Sequence, residues 1–185
     1  MQSIELNHII WYNSNRGKVC EKGIVAYTYT RKGQTMTKIL FVCHGNICRS
    51  PMAEFIMKYL VKEKGLENEF YIESAATSTE EIGNGVHYGT RHVLDKYKVD
   101  YSKKRAVQIT RADYGKYDCI VGMDRYNMRN MERIFGGDPD NKLSLLLDHT
   151  GDFRDVADPW YTGDFSQPED DVMRGCKALL KKILN

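Results

Sequence analysis

Two cysteines, an arginine and a serine lie within eight residues of the segment "FVCHGNICRSPMAE", at positions 41–54. Cys43 follows an apolar run at residues 39–42, which is typical of a strand buried on both faces. Ser50, Pro51 and Glu54 suit the first turn of a helix. Two cysteines this close could form a metal site, a redox pair, or a nucleophile with its helper.

The metal and dithiol alternatives lack their usual partners. A zinc site needs about four nitrogen or sulfur ligands, and no second cysteine pair or spaced histidine pair accompanies this one, so no metal is expected. A thioredoxin-like pair has two intervening residues, whereas four separate Cys43 from Cys48. Either cysteine alone would be interpreted as a buried structural residue. The full Cys-x5-Arg-Ser pattern between a strand and a helix favours a nucleophile.

A strand-to-helix turn at the carboxyl edge of a parallel sheet is a usual ligand site. Its backbone N–H groups and the helix N-terminus would bind an anion, and Arg49 supplies a planar cation for phosphate. The same field favours the thiolate of Cys43, to which Ser50 can donate a hydrogen bond. The pattern therefore predicts phosphoryl transfer through a cysteinyl-phosphate. The predicted phosphate-binding residues are His44, Gly45, Asn46, Ile47, Cys48, Arg49 and Ser50.

Composition indicates one globular domain. The chain has 185 residues, 42% of them hydrophobic and 28% charged, with a formal net charge of +2, which gives no reason to expect a nucleic-acid or membrane partner. No run approaches the roughly 18 apolar residues of a membrane span. The five cysteines are an odd and scattered set, which favours a cytoplasmic protein with reduced thiols over a secreted disulfide scaffold.

The elements that would position these residues alternate along the chain. Strands are predicted at 39–42, 70–75, 117–123 and 143–147, and helices from Ser50 to Gly65, at 86–98, 110–117, 125–135 (with Asp124 as cap) and 168–184. Alternation predicts an α/β protein, a three-layer doubly wound fold with a central four-stranded parallel sheet. The pattern of residues 1–35 indicates no clear packing unit. We expect these residues to be an N-terminal extension, possibly disordered, or the native start to be Met36; the domain is predicted at 36–185.

The segment "VCHGNICRSP" resembles the signature loop of the low-molecular-weight protein tyrosine phosphatases. The resemblance continues through "ESAATST" at 73–79, "GMD" at 122–124 and "DPW" at 158–160, and covers about residues 37–184. It implies hydrolysis of phosphotyrosine in proteins, release of inorganic phosphate and no cofactor. It also implies that Ser74 is the partner of Asn46, whose residue type tolerates the left-handed backbone that such a loop needs.

The segment "ADPWY" by itself indicates a turn with a packed aromatic residue. Beside the signature loop it resembles the family's general-acid loop, which implies that Asp158 protonates the leaving phenolate and later activates water. A general acid typically contributes about 10²–10⁴-fold to the rate. Trp160 and Tyr161 would then form the walls of a slot for the aromatic leaving group.

Three loop residues bear on specificity and redox behaviour. Ile47 resembles the tyrosine-specific members, because the related protein-arginine phosphatases carry threonine there. His44 is interpreted as a rim histidine, with a role in substrate preference as the alternative. Cys48 either packs beside the loop or, by resemblance, is a backup thiol that forms a reversible disulfide with Cys43 under oxidation.

Two other functions agree less well with the residues present. Arsenate reductases of the same fold carry a Cys-x6-Cys shuttle at the end of the third strand, but the matching positions here are Gly122 and Arg129, and Cys119 lies three residues too early. A non-catalytic phosphate-binding module would be expected to lack a key residue, yet Cys43, Arg49 and Asp158 are all present.

Overall fold

Four parallel strands form the central sheet of the computed structural model, which describes residues 36–185. They are β1 (Thr37–Cys43), β2 (Phe70–Ala76), β3 (Cys119–Gly122) and β4 (Leu143–Leu145), in the order β2-β1-β3-β4. Each neighbouring pair is parallel, so the prediction of a four-stranded parallel sheet is confirmed. The expected extension at 1–35 lies outside the described residues, so the extension and the alternative start at Met36 both stay predictions.

Five helices accompany the sheet: α1 (Arg49–Glu63), α2 (Tyr88–Asp95), α3 (Arg125–Phe135), α4 (Pro159–Thr162) and α5 (Ser166–Leu184). Alternate residues of β1 enter two separate cores. Phe41 packs in the core that contains residues of α1 and α5, whereas Val42 packs in the core that contains residues of α3. Because successive strand side chains point to opposite faces, these two cores confirm a three-layer fold with helices on both sides.

The carboxyl end of β1 lies where the strand order reverses direction. From β1 the chain passes to β2 on one side, and β3 then pairs with β1 on the other side. Loops leaving neighbouring strands in opposite directions open a crevice at this switch point. Cys43, the last residue of β1, therefore lies where such folds bind ligands.

Several element boundaries differ from the prediction. The helix expected at 110–117 is a 3-10 turn, Arg111–Gly115, with no fully buried residue; its half-buried Tyr114 packs against Phe135, which is one contact rather than the apolar stripe that a longer helix buries. The helix expected at 86–98 ends at Asp95, and Lys98 has a left-handed φ of 53°. Helix α1 begins at Arg49 rather than Ser50, which moves Glu54 out of its first turn.

The remaining strands and helices are close to their expected positions. Strand β3 is shorter than the predicted 117–123 and β4 ends at Leu145, with a 3-10 turn, Leu147–Thr150, after it. Helix α4 replaces a predicted turn. Within residues 36–185, no helix combines the length and apolar character needed to cross a bilayer.

Candidate active site

Cys43 lies at the base of a cleft of about 620 Å³, beneath the loop that joins β1 to α1. Its Sγ is 3.0 Å from Ser50 Oγ and accepts a hydrogen bond of 3.3 Å from the backbone N–H of Asn46. Only 3% of Cys43 is exposed, so the sulfur is reached from the cleft alone. These two contacts fix the position of the sulfur beneath the loop.

Arg49 joins the loop to two carboxylates of the cleft. Its Nη1 donates to Asp124 Oδ2 at 2.7 Å, and its Nη2 donates to Asp158 Oδ2 at 2.5 Å. Burial lowers the pKa of Arg49, but Cys43, Asp158 and Asp124 together raise it above its ordinary value. The guanidinium therefore remains a cation in a fixed orientation, although only 4% of the residue is exposed.

Asn46 holds the loop in its folded-back shape. Its φ of 58° is left-handed, and its side-chain Nδ2 donates to both Ser50 Oγ at 2.9 Å and Ser74 Oγ at 2.8 Å. Its Oδ1 accepts from the N–H of Val107 at 3.2 Å. Because these partners belong to three different parts of the chain, Asn46 ties the loop to β2 and to the segment beyond α2.

A buried ion pair determines which way these hydrogen bonds point. Ser74 Oγ lies 2.6 Å from Glu54 Oε2, to which it must donate because an ionised carboxylate only accepts. Ser74 then accepts from Asn46. Lys104 Nζ lies 2.9 Å from the same Glu54 oxygen, so the carboxylate is compensated although Glu54 is only 2% exposed.

The same chain of hydrogen-bond donors and acceptors continues from Asn46 to Cys43. Ser50 Oγ accepts from Asn46 Nδ2, so its own proton can be donated to Cys43 Sγ at 3.0 Å or, over a longer distance of 3.4 Å, to Ala75 O. From the sequence, Glu54 is predicted only as a residue of the first turn of the helix, and Lys104 has no predicted role. These two residues are 50 positions apart in sequence, and no local pattern pairs them.

Asp158 lies at the opposite wall of the cleft as the cap of α4. Its Oδ1 accepts from the N–H of Trp160 at 3.1 Å, while Oδ2 contacts Arg49. Trp160 and Tyr161 line the cleft with 62% and 85% of their surface exposed. Fold and loop thus bring Cys43, Arg49 and Asp158 into one cleft, with two aromatic side chains at its rim.

Asp124 is a second carboxylate of the site. The sequence analysis interpreted it only as a helix cap, and its Oδ1 does accept from the N–H of Asn127 at 2.7 Å. Its Oδ2 also contacts Arg49. The sequence feature that indicates this second role is that Asp124 directly follows the predicted strand at 117–123, at the same sheet edge as Cys43.

The four other loop residues, His44, Gly45, Ile47 and Cys48, all line the cleft but occupy different environments. His44 lies at the rim, with its Nε2 2.9 Å from Glu80 Oε2. Ile47 packs with Cys48, Ala106 and Phe165 on the far side of the loop while also lining the cleft.

Cys48 is a buried free thiol. Burial raises the pKa of Cys48 to about 12, and the negative charges of Cys43 and Asp158 act in the same direction. In the described part of the chain, no group of three or more metal-binding side chains occurs.

The fold and the site are those of an α/β protein in which an arginine, a loop N–H group and a helix N-terminus lie around a buried thiol, an arrangement suited to an anion. Comparison with known proteins identifies the family of the chain. The sequence model for low molecular weight phosphotyrosine protein phosphatase matches residues 38–185. The chain belongs to this family, as its signature loop predicted, and is a protein-tyrosine-phosphatase by class.

Individual relatives support the same family assignment. The chain is 37% identical to the low molecular weight protein-tyrosine-phosphatase YfkJ of Bacillus subtilis over 150 residues, covering 80% of this chain and 96% of YfkJ. The crystal structure of YfkJ superposes with a TM-score of 0.78, over 81% of this chain and 96% of that one. The Drosophila arginine phosphatase DARP also matches, at 25% identity and a TM-score of 0.74, over 80% and 99% of the two chains.

Proposed function

We propose that the protein hydrolyses phosphotyrosine in proteins through a cysteinyl-phosphate intermediate, with Cys43 as nucleophile and Asp158 as general acid. The observation that carries this proposal is Arg49, which lies in one loop with Cys43 and contacts Asp158 at 2.5 Å. An arginine shared between a thiol loop and a carboxylate is suited to hold a phosphoryl group between nucleophile and acid.

In the first step, the Cys43 thiolate attacks phosphorus and an S–P bond forms. The bond from phosphorus to the tyrosine oxygen breaks, and that oxygen takes a proton from Asp158. A phenol has a pKa of about 10, so protonation of the leaving oxygen lowers the barrier. Arg49 and the loop N–H groups bind the three remaining phosphoryl oxygens.

In the second step, Asp158 acts as a base. It accepts a proton from a water molecule whose oxygen attacks phosphorus, the S–P bond breaks, and inorganic phosphate leaves. The Ser50 hydroxyl, 3.0 Å from Cys43 Sγ, stabilises the departing thiolate. All the groups in this scheme come from the chain itself, and it calls for no cofactor or metal.

The substrate class is supported by the cleft walls. Trp160 and Tyr161 offer aromatic surface to a phenyl ring. Ile47, also in the lining, favours phosphotyrosine over the phosphoarginine that a relative's name suggests. Phosphotyrosine proteins are then the partners, and the need for a reduced nucleophile supports action in the cytoplasm.

Trapping the intermediate tests the mechanism. Wild type quenched in acid after brief mixing with a radiolabelled aryl phosphate should carry label on the Cys43 peptide. Cys43→Ser should carry none and lose at least about 10³-fold in kcat. Cys119→Ser, a change outside the cleft, is the matched control and should keep activity.

Three results would oppose the proposal. Turnover by Cys43→Ser would exclude the nucleophile, and tight phosphopeptide binding without turnover would favour the non-catalytic module. Faster hydrolysis of phosphoarginine than of phosphotyrosine peptides would exclude the proposed substrate. Arsenite formed from arsenate with thioredoxin present would restore the reductase alternative.

A further inference from the structure

The segment that leads into Asp158 is fastened to helix α5 by one buried carboxylate, Asp171. Arg154 donates to both oxygens of Asp171, with 2.7 Å from Nη1 to Oδ2. The N–H of Ala157 donates to the same Oδ2 at 3.3 Å. Asp171 is 1% exposed, so these contacts replace water that the carboxylate has lost.

The neighbouring residue is fastened on its other side. The N–H of Val156 donates to Met123 O at 2.8 Å, and Val156 O accepts from Arg49 Nη1 at 3.4 Å. Residues 156 and 157 are thus held by the end of β3 and by α5, respectively. Asp158 is the next residue, so its Cα position follows from these two anchors.

Arg154 is itself held in place from outside the cleft. Asp152 Oδ2 accepts from Arg154 Nε at 3.0 Å, and Arg174 contacts both Asp152 and Asp171 at 3.3 Å. These groups do not line the cleft. These groups therefore hold the segment that leads into Asp158 and do not contact the space inside the cleft.

We propose that Asp171, acting with Arg154, is a positioning residue that sets the place of Asp158 for proton transfer; this rests on the general-acid role proposed above. Neither Cys43 nor the loop N–H group that donates to its sulfur contacts Asp171, and the clamped segment reaches Arg49 through Asp158 and a long contact of 3.4 Å from Val156 O. Loss of the clamp formed by Asp171 and Arg154 should therefore impair delivery of the proton much more than attack on phosphorus. The defect must therefore grow as the leaving group becomes more basic.

The test compares kcat/KM on phenyl phosphate and on p-nitrophenyl phosphate, whose phenol is the stronger acid. For Asp171→Asn we expect a loss of about 10- to 100-fold on phenyl phosphate, in line with the cost of a small misplacement, and a loss under about threefold on p-nitrophenyl phosphate. Asp158→Asn, run in parallel, should show the same trend more strongly. Asp170→Asn is the matched control, because Asp170 is exposed and contacts only Arg174 Nε.

A second pair of variants guards against misfolding of Asp171→Asn. The Arg154 side chain is 40% exposed, so Arg154→Gln should fold and show the same leaving-group trend. Arg154→Lys keeps the charge without the two-point contact, and should lie between Arg154→Gln and wild type.

The outcomes separate the two proposals. Equal losses on both substrates in Asp171→Asn and Arg154→Gln, with a clear trend in Asp158→Asn, would overturn the positioning role alone. Equal losses in Asp158→Asn would remove the general acid, and the positioning role with it. If Asp171→Asn does not fold, the Arg154 variants decide.

Discussion

Arg49 and Asp158 are in direct contact, 2.5 Å from Nη2 to Oδ2, although 109 residues separate them in sequence. Asp124 holds the other terminal nitrogen at 2.7 Å. The fork of the guanidinium is thus oriented by two carboxylates before any anion enters. A cleft that is already organised in this way loses less entropy when the phosphoryl group binds.

Arg49→Lys should lose this orientation while keeping the charge. A lysine presents one ammonium and cannot contact two carboxylates and a phosphate in fixed geometry, so we expect kcat/KM to fall by about 10²-fold or more. Steady-state hydrolysis of p-nitrophenyl phosphate measures the change. Arg91→Lys, at an exposed position of α2, is the control, and equal activity of Arg49→Lys and wild type would contradict the bidentate role.

Asn46 combines a backbone requirement with a side-chain requirement, and two substitutions separate them. Asn46→Gly keeps the left-handed φ but removes the side-chain hydrogen bonds, which should cost about 1–3 kcal/mol of unfolding free energy. Asn46→Ala should cost about 1–2 kcal/mol more, because alanine is strained at this φ. Urea unfolding of both variants measures the difference, and equal stability would show that φ imposes no cost.

The buried pair of Glu54 and Lys104 should be intolerant of losing one member. Lys104→Met removes the buried partner of Glu54 and leaves the partly exposed Lys58 as its remaining cation, so we expect a cost of about 2–3 kcal/mol, less than the roughly 3–5 kcal/mol of a wholly unpaired buried charge. Lys58→Met is the matched control, since Lys58 also contacts Glu54 but is 37% exposed in its side chain, and it should cost at most about 1 kcal/mol. The double variant Glu54→Gln with Lys104→Met should be more stable than the sum of its single changes; strict additivity would mean that the pair is not coupled.

Cys48 should resist alkylation in the folded protein. With its pKa raised to about 12, its thiolate at pH 8 is about 10³-fold scarcer than that of a free cysteine. Iodoacetamide labelling of the wild-type protein, followed by peptide mapping, measures this thiol separately from Cys43 and keeps the charge of Cys43 in place. Labelling of Cys48 at the rate of a free cysteine would contradict the prediction.

The same contacts bear on the backup-thiol hypothesis. The charge of Cys43 is one of the causes that raise the pKa of Cys48. Oxidation of Cys43 to a neutral sulfenic acid removes that charge, so Cys48 should become easier to deprotonate when a disulfide is needed.

Stability should fall in acid partly through Asp171. Burial acts to raise the pKa of Asp171, but the hydrogen bonds from Arg154 and Ala157 outweigh it, and the net pKa lies below its ordinary value. A depressed native pKa stabilises the fold at pH above the unfolded value of about 3.9, and this contribution is lost as the pH falls through the native pKa. Urea unfolding between pH 7 and pH 3 should show a shallower decline for Asp171→Asn than for wild type. Asp170→Asn should keep the wild-type slope, and an unchanged slope in Asp171→Asn would contradict the assignment.

Local sequence patterns predicted the parts of the site that are local in the fold. Cys43, Asn46, Arg49 and Ser50 belong to one short loop, so their spacing alone indicated a thiol beside an anion site. The parallel sheet followed from the alternation of strands and helices, because parallel strands require a crossover. Helix α4 was not predicted, because four residues give no periodicity and its only signals are the Asp158 cap and Pro159.

Asp158 was selected by family resemblance, since by composition "ADPWY" indicates only a turn. Glu54, Lys104, Asp171 and Arg154 were not selected, because each is one of many charged residues until the fold buries it. Burial is decided by tertiary packing, and so is the choice of partner.

The sequence by itself determined the loop that carries Cys43 and Arg49 and the alternating fold, because backbone preferences and spacing act over a few residues. Only the tertiary structure decided which carboxylates face Arg49, which lysine compensates Glu54, and which aspartate anchors the segment before Asp158. Those pairings cross distances of 17 to 109 residues, and they form only where packing removes water and brings oppositely charged groups within reach of one another.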